Sequence, residues 1–365
     1  RKNIAQLPRI FYYQSRKEVA SMERDTYYLV GNAHLDPLWQ WRWQEGSMEA
    51  KATLRSALDR MREFPEFRFV CSSASIFQWV EEFAPDMLEE IRQRVQEGRF
   101  AIVGGWHVQP DCNLPSGEAF ARQSLYAQGY FRDTFGVTAT VGYCVDSFGH
   151  CATLPMILRG SGMDSYIFMR PGEHEKHMDS DLFNWVSPDG SSVITYRIAD
   201  GYGQDFREDH HLPNRLREID ERTATDIDEA FVFYGVGNHG GGPSREDLIT
   251  IADFMKNNPE KGLTHSWCEK YFDRIDKSNL AIFDKSLNYT MIGCYTTMAR
   301  IKQAHRRLEN ELSVCEKMLA LSGVSYDKTE LEKAEKYSGK KLKFIKLDAM
   351  PVTGCINWIM QDYVN

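Results

Sequence analysis

His34 and Asp36 stand two residues apart, directly after an apolar run (Tyr27, Tyr28, Leu29, Val30) that ends at Gly31. The run reads as a buried strand. On extended chain, residues two apart point to the same side. One imidazole and one carboxylate are therefore offered together where a strand opens into a loop. That donor pair begins a divalent metal site with N and O ligands, and zinc is the ion such a site takes first. The competing reading is a histidine hydrogen-bonded to backbone at the start of a loop. Trp39, Trp41 and Trp43 follow. Their faces suit the stacking of a sugar ring, and they suit plain core equally.

Asp146 lies in GYCVDSFGH, at the carboxyl end of a second apolar run. A carboxylate there fits a metal ligand, a nucleophile or a general base; it also fits a helix N-cap. His150 reads as a structural loop histidine. In Asn238-His239-Gly240-Gly241-Gly242-Pro243 the glycines permit positive φ or close approach of backbone to a ligand. His239 is presented on that loop; the alternative is a tight turn needed only for folding. Asp111 and Asn113 precede a helix that should start near Ser116. His174, His177, His210 and His211 lie in charged loops and receive no role, and His305 reads as an exposed helix residue.

The elements that must position these residues alternate. Strands are expected at about 26–33, 67–73, 100–106, 141–149, 164–170 and from 231. Helices are expected over 46–64, through 75–98, and from Ser116. Residues 183–198 read as a hairpin turning at Pro188-Asp189-Gly190. A strand and helix follow near 263–276, and a long amphipathic helix covers 296–323. Strand–helix alternation implies an α/β fold with a parallel sheet covered by helices, barrel or doubly wound. In both, ligands gather at the carboxyl ends of strands. His34, Asp36, His107, Asp111, Asn113, Asp146 and His239 all fall there, and that convergence outweighs any single motif.

At 365 residues, with 42% hydrophobic content, the chain suits one α/β barrel plus an appendage. A net charge of −8 argues against nucleic acid or an anionic membrane as main partner, and no apolar run is long enough to span a bilayer. Eight cysteines without a CxxC pair read as free thiols in a reducing compartment. With an N-terminus lacking a signal-peptide core, this points to the cytoplasm.

Six segments, in order, resemble blocks of the glycoside hydrolase family 38 α-mannosidases: NAHLDPLWQW, GGWHVQPDCNLPSGEAFARQ, VGYCVDSFGH, NWVSPDGSSVITYR, GVGNHGGGP and GCYTTMARIKQAHRRLENEL. The resemblance covers roughly residues 26–320. It implies a seven-stranded β/α barrel over 26–285 and the start of a helical bundle over 290–335. Residues 1–25 are then an extension and 336–365 an unassigned tail. It also implies zinc, a mannose-containing oligosaccharide as substrate, and retention of configuration through a covalent glycosyl-enzyme. Carried over, His34 and Asp36 match zinc ligands, and Asp146 matches a nucleophile that also touches zinc. A retaining mechanism needs a second carboxyl group about 5 Å away.

The chain departs from the family in two places. Where many members carry Gly-Asp, it has Gly237-Asn238-His239. An amide cannot protonate a leaving group, so the acid/base role passes to His239 or to another loop, with Asp111 as candidate. The family's fourth ligand is a histidine of the bundle, and no histidine follows His305. The expectation is an N-terminal catalytic-domain fragment that binds zinc weakly and turns over little. The alternatives are a zinc-dependent carbohydrate deacetylase and a non-catalytic carbohydrate-binding fragment. Linkage preference and oligomeric state leave no mark in the sequence.

Overall fold

The computed structural model describes residues 26–198, 201–203, 206, 211–222, 228–237 and 240–322. His239, His210, Cys355 and the segments 1–25 and 323–365 lie outside the described residues. The elements run β1 (Thr26–Asn32), α1 (Trp43–Glu63), β2 (Phe69–Ser72), α2 (Ala74–Phe83), α3 (Pro85–Gln96), β3 (Phe100–Val103) and α4 (Gly117–Phe135). They continue through β4 (Val141–Cys144), α5 (Leu154–Gly160), β5 (Ser165–Phe168), β6 (Leu182–Val186), β7 (Ser192–Arg197), α6 (His211–Arg222) and β8 (Glu229–Tyr234). Last come α7 (Arg245–Asn257), β9 (Leu263–His265), α8 (Cys268–Arg274), β10 (Ala281–Phe283), α9 (Gly293–Thr296) and α10 (Ala299–Ser322).

The α/β alternation holds, and the described strands bond as two five-stranded sheets rather than as one closed barrel. The first runs β3-β2-β1-β8, with β9 also paired to β1, and all its pairings are parallel. The second runs β10-β6-β7-β5-β4. Its β6–β7 pair is antiparallel, the hairpin expected from Pro188-Asp189-Gly190, with Gly190 at φ 87° in the turn. The Gly104 N–H donates to the Val141 carbonyl at 2.8 Å, stitching β3 to β4.

Strand β1 shows why the layers form. Tyr27 and Leu29 join the core under α1, α2 and α3, whereas Tyr28 and Val30 point the other way. There they meet Val141, Tyr143, Ile167 and Tyr196 of the second sheet. A run apolar on both faces is what a parallel strand covered on both sides needs. The outer face of the second sheet packs Tyr166, Phe168 and Trp185 against Trp106, Phe120, Leu154 and Leu158.

Three expectations are corrected. The helix expected through 75–98 is two helices. Pro85 has no N–H to donate and sits at the first position of α3, while Ala84 leaves helical geometry at φ −155°. Helix α1 begins at Trp43, three residues early, because the Glu45 carboxylate accepts the Arg42 N–H at 2.7 Å. His305 is half-buried rather than exposed, with Nε2 3.5 Å from Glu309, because α10 lies against the start of α4. There Arg122 forks onto Glu316 at 2.5 and 2.6 Å, and the Ser116 N–H donates to Glu309 at 3.0 Å. Ser116 caps α4 as expected, its hydroxyl accepting from the Ala119 N–H. No helix among the described residues is long and apolar enough to cross a membrane. Among the described residues seven cysteines are free, four of them buried.

Helix α8 inserts Cys268, Tyr271 and Phe272 into the core between the sheets. This draws in Glu269, whose Oε2 is buried without a hydrogen-bond partner. Burial, with the Asp273 and Asp164 carboxylates adding to it, pushes its pKa up to about 7. A carboxyl group whose pKa is raised by folding stabilises the fold while it stays protonated. That contribution is present below its ordinary pKa near 4.5 and is lost as pH climbs to about 7. Glu269→Gln is expected to raise Tm at pH 8 by at least about 3 °C and to change it much less at pH 5; thermal melts of the two proteins at both pH values check this.

Candidate active site

Parallel registers bring the chemistry to one level. Thr26 to Gly31 of β1 pair with Glu229 to Tyr234 of β8, so the loop after β1 and the glycine loop after β8 leave side by side. In the second sheet Cys144 of β4 pairs with Phe168 of β5. Two residues beyond each partner stand Asp146 and Arg170.

The loop after β1 is held tightly. Asn32 donates to the carbonyls of Tyr202 and Tyr234 at 2.7 and 3.2 Å, tying β1 to its neighbours. Trp41 Nε1 donates to the Asp36 carbonyl at 3.1 Å, and Trp39 meets Trp41 edge-on at 5.2 Å. All three tryptophans of the cluster are half-buried; Trp39 and Trp41 lie on the loop, whereas Trp43 opens α1 and packs 6.4 Å from Trp79 of α2. Gly46 lets α1 begin against this loop, since a Cβ there would stand 2.2 Å from the Pro37 carbonyl oxygen.

His34 is 3% exposed. Its Nε2 lies 3.4 Å from Asp36 Oδ1 and 3.7 Å from Asp146 Oδ2, and its ring packs 4.8 Å from Tyr202. Neither ring nitrogen has a hydrogen-bond partner. Burial works against its protonation most strongly, but Asp36 and then Asp146 outweigh burial, and its pKa rises above the ordinary value. A buried imidazole with both nitrogens unpartnered costs about 1–3 kcal/mol, and such groups mark places where a reacting group, a water or an ion is held. One imidazole flanked by two carboxylates is the donor chemistry of a zinc site. As the side chains stand, no group of three or more His, Cys, Asp and Glu among the described residues is arranged around a cation position.

Asp146 is instead turned partly to Arg170, whose Nε donates to Oδ1 at 2.9 Å. The Arg170 guanidinium also lies 5.7 Å over the Phe148 ring. One Asp146 oxygen is thus held by a charge-assisted hydrogen bond, and the other faces His34. Sequence reasoning missed Arg170. The rule that found Asp146, polar residues just past strand ends, applies equally to Arg170 after β5.

Asp111 lies apart from this trio. Its Oδ1 accepts the N–H groups of Asn113 and Leu114 at 2.9 and 2.8 Å. Burial raises its pKa against the pull of those two bonds. Asn113 reaches the Gly149 carbonyl at 3.0 Å, so the Asp111 loop and the Asp146 loop are fastened together. Val236 and Gly242 close the glycine loop by mutual backbone bonds, and the Gly241 N–H donates to Thr53 of α1 at 2.8 Å. Gly240, Gly241 and Gly242 all take positive φ, so at least these glycines serve the turn itself. His150 is fully buried.

Comparison with known proteins identifies the family and the fold. Residues 25–293 match the model of the "Glycosyl hydrolases family 38 N-terminal domain". Alpha-mannosidase G of Dictyostelium discoideum is 31% identical over 79% of this chain and 27% of its own length. The alpha-mannosidase of Saccharomyces cerevisiae is 29% identical over 82% of this chain and 29% of its own. The solved alpha-mannosidase of Enterococcus faecalis shares the fold at a TM-score of 0.63 and 20% identity, over 72% of this chain and 31% of that one. This chain therefore spans under a third of each relative's length. With well over half of its residues matched by the domain model, the chain belongs to glycosyl hydrolase family 38.

Proposed function

We propose that this chain carries the site of a retaining α-mannosidase acting on terminal α-mannosides of oligosaccharides. The observation that carries the reading is the buried, unpartnered His34 ring set between the Asp36 and Asp146 carboxylates, in a chain of this family. His34, Asp36 and Asp146 are the donors we assign to zinc. When bound, the ion would supply Lewis acidity toward two neighbouring sugar hydroxyls. The proposed architecture around the site is a seven-stranded barrel of β8, β1, β2, β3, β4, β5 and β7. The free thiols support a cytoplasmic location.

Asp146 is the proposed nucleophile. Arg170 holds Oδ1 and leaves Oδ2 to bond to the anomeric carbon as the C–O bond to the aglycone breaks, the acid/base giving the departing oxygen its proton; water, deprotonated by the same group, then displaces the carboxylate from the glycosyl-enzyme and releases the sugar. The half-buried Trp39 and Trp41 offer apolar faces beside the loop that carries His34. Two residues are put forward for the acid/base. Burial lifts the Asp111 pKa, which suits a proton donor; His239 sits on the neighbouring glycine loop.

Hydrolysis of p-nitrophenyl α-D-mannoside, with added zinc and with EDTA, tests the reading. Slow, zinc-dependent release that EDTA abolishes is expected; release of acetate from an acetylated glycan without mannosidase activity would replace it with a deacetylase. Asp146→Ala should lower kcat at least about a thousandfold, and wild-type turnover in that variant removes the nucleophile assignment. His34→Ala should weaken zinc binding, read by calorimetry, by at least about a hundredfold. Asp111→Asn and His239→Ala separate the acid/base candidates. The true proton donor loses far more activity on an alkyl mannoside, whose leaving group needs protonation, than on the p-nitrophenyl substrate.

A further inference from the structure

We infer that His150 and Tyr166 are positioning residues for Asp146, acting on it through Arg170. The inference rests on reading Asp146 as the nucleophile, but its geometry stands apart from that reading. Asp146 and Arg170 both lie on loops just past strand ends, where pairing no longer dictates where a side chain goes. Arg170 is nonetheless fixed at its backbone. His150 Nε2 lies 2.8 Å from the Arg170 carbonyl oxygen, and the Tyr166 hydroxyl lies 2.9 Å from His150 Nδ1.

The chemistry of these partners allows one arrangement. A carbonyl only accepts, so Nε2 carries the proton and donates it. In the neutral ring Nδ1 is then bare and accepts, so the Tyr166 hydroxyl donates. Burial keeps the ring neutral, lowering its pKa to about 3. The ring has no room to turn. It meets Tyr166, Phe168 and Trp185 edge-on at 5.5, 5.3 and 6.5 Å, and the His150 backbone exchanges bonds with Leu287 at 2.8 and 2.9 Å. Tyr166 itself belongs to β5, paired with Gly142 of β4. A rigid strand thus orients an imidazole, the imidazole holds the Arg170 carbonyl, and the Arg170 guanidinium holds Asp146 Oδ1 at 2.9 Å.

An apolar side chain would fill this cage at lower cost than an imidazole with two polar atoms to satisfy. What the imidazole adds is direction at Arg170. A filler role and a positioning role make different predictions for the Arg170 Nε–H proton. Its exchange with solvent, followed by 15N NMR on the intact protein and assigned through Arg170→Lys, reports the bond to Asp146 without any turnover. Tyr166→Phe and His150→Leu should each speed that exchange at least about fivefold, as loss of a buried hydrogen bond does. His150→Gln can donate to the same carbonyl and accept from Tyr166, so it should restore exchange to near the wild-type rate. On p-nitrophenyl α-D-mannoside, Tyr166→Phe should lower kcat and leave KM within about twofold.

A folded Tyr166→Phe protein with unchanged Arg170 Nε–H exchange overturns the inference, whatever its Tm. If His150→Leu does not fold, Tyr166→Phe alone decides. If the wild-type protein has no mannosidase activity, the proposed function fails, and the exchange measurement still decides the positioning role.

Discussion

Parallel pairing is the constraint on which the site depends. Parallel strands in one sheet all leave it at the same end, so every loop that follows a strand opens on the same side. The register then sets which loop residues stand level. Gly31 opposite Tyr234 aligns the His34 loop with the glycine loop, and Cys144 opposite Phe168 aligns Asp146 with Arg170. Backbone hydrogen bonds a few residues upstream bring the loops carrying residues 34, 36, 146 and 170 to one end of the sheets, and contacts within those loops then set where the side chains point. The stitch between Gly104 and Val141 matters for the same reason: it joins the sheet that delivers His34 to the one that delivers Asp146.

Within that frame the site accepts an unfavourable local arrangement. Burying an imidazole without partners and placing two carboxylates beside it costs free energy that the large shared core must offset. The arrangement also keeps Asp146 from pairing with a single partner. Arg170 takes one oxygen, His34 faces the other, and neither pairing is closed on both sides. A carboxylate held at one oxygen and open at the other is oriented without being used up, which is the condition for attack on a substrate carbon.

Much of this was legible in the sequence, and the limits are physical. His34, Asp36 and Asp146 could be picked out because apolar runs end just before them, and strand ends in α/β folds are where ligands gather. The hairpin at Pro188-Asp189-Gly190 and the cap at Ser116 were legible because their signals are local. Arg170 was not singled out, because its importance comes from the β4–β5 register, a pairing between segments that sequence order does not state. The pairing of Tyr166 with His150 escaped for a related reason. A histidine in a loop and a tyrosine in a strand are common, and only their separation of 2.9 Å makes them a pair. The break at Ala84-Pro85 was written in the sequence, since proline ends a helix; the apolar period on both sides of it masked the signal. The division of the strands into two sheets has no local signal.

The segment beyond the sheets is fastened to the same loops. Tyr295 donates its hydroxyl to the Phe148 carbonyl at 2.6 Å and accepts from Asn113 at 3.1 Å, so it touches both the Asp146 loop and the Asp111 loop. Lys302 of α10 lies close enough to Asp111 for their charges to interact. Glu309, further along α10, accepts the Ser116 N–H at the start of α4, where a helix N-terminus favours negative charge. Burial alone would raise the Glu309 pKa, yet His305 and the Ser116 N–H bring it down to about 2. These contacts favour its charged form. Two carboxyl groups near α10 thus stand in opposite states of ease: Glu309 is stabilised as an anion, and Asp111 is strained as one by burial. The loop carrying Asp111 runs directly into Ser116 and α4, so α10 meets both ends of this short stretch of chain, through Lys302 and through Glu309. The helical segment is on these grounds fastened to the loops that carry Asp111 and Asp146.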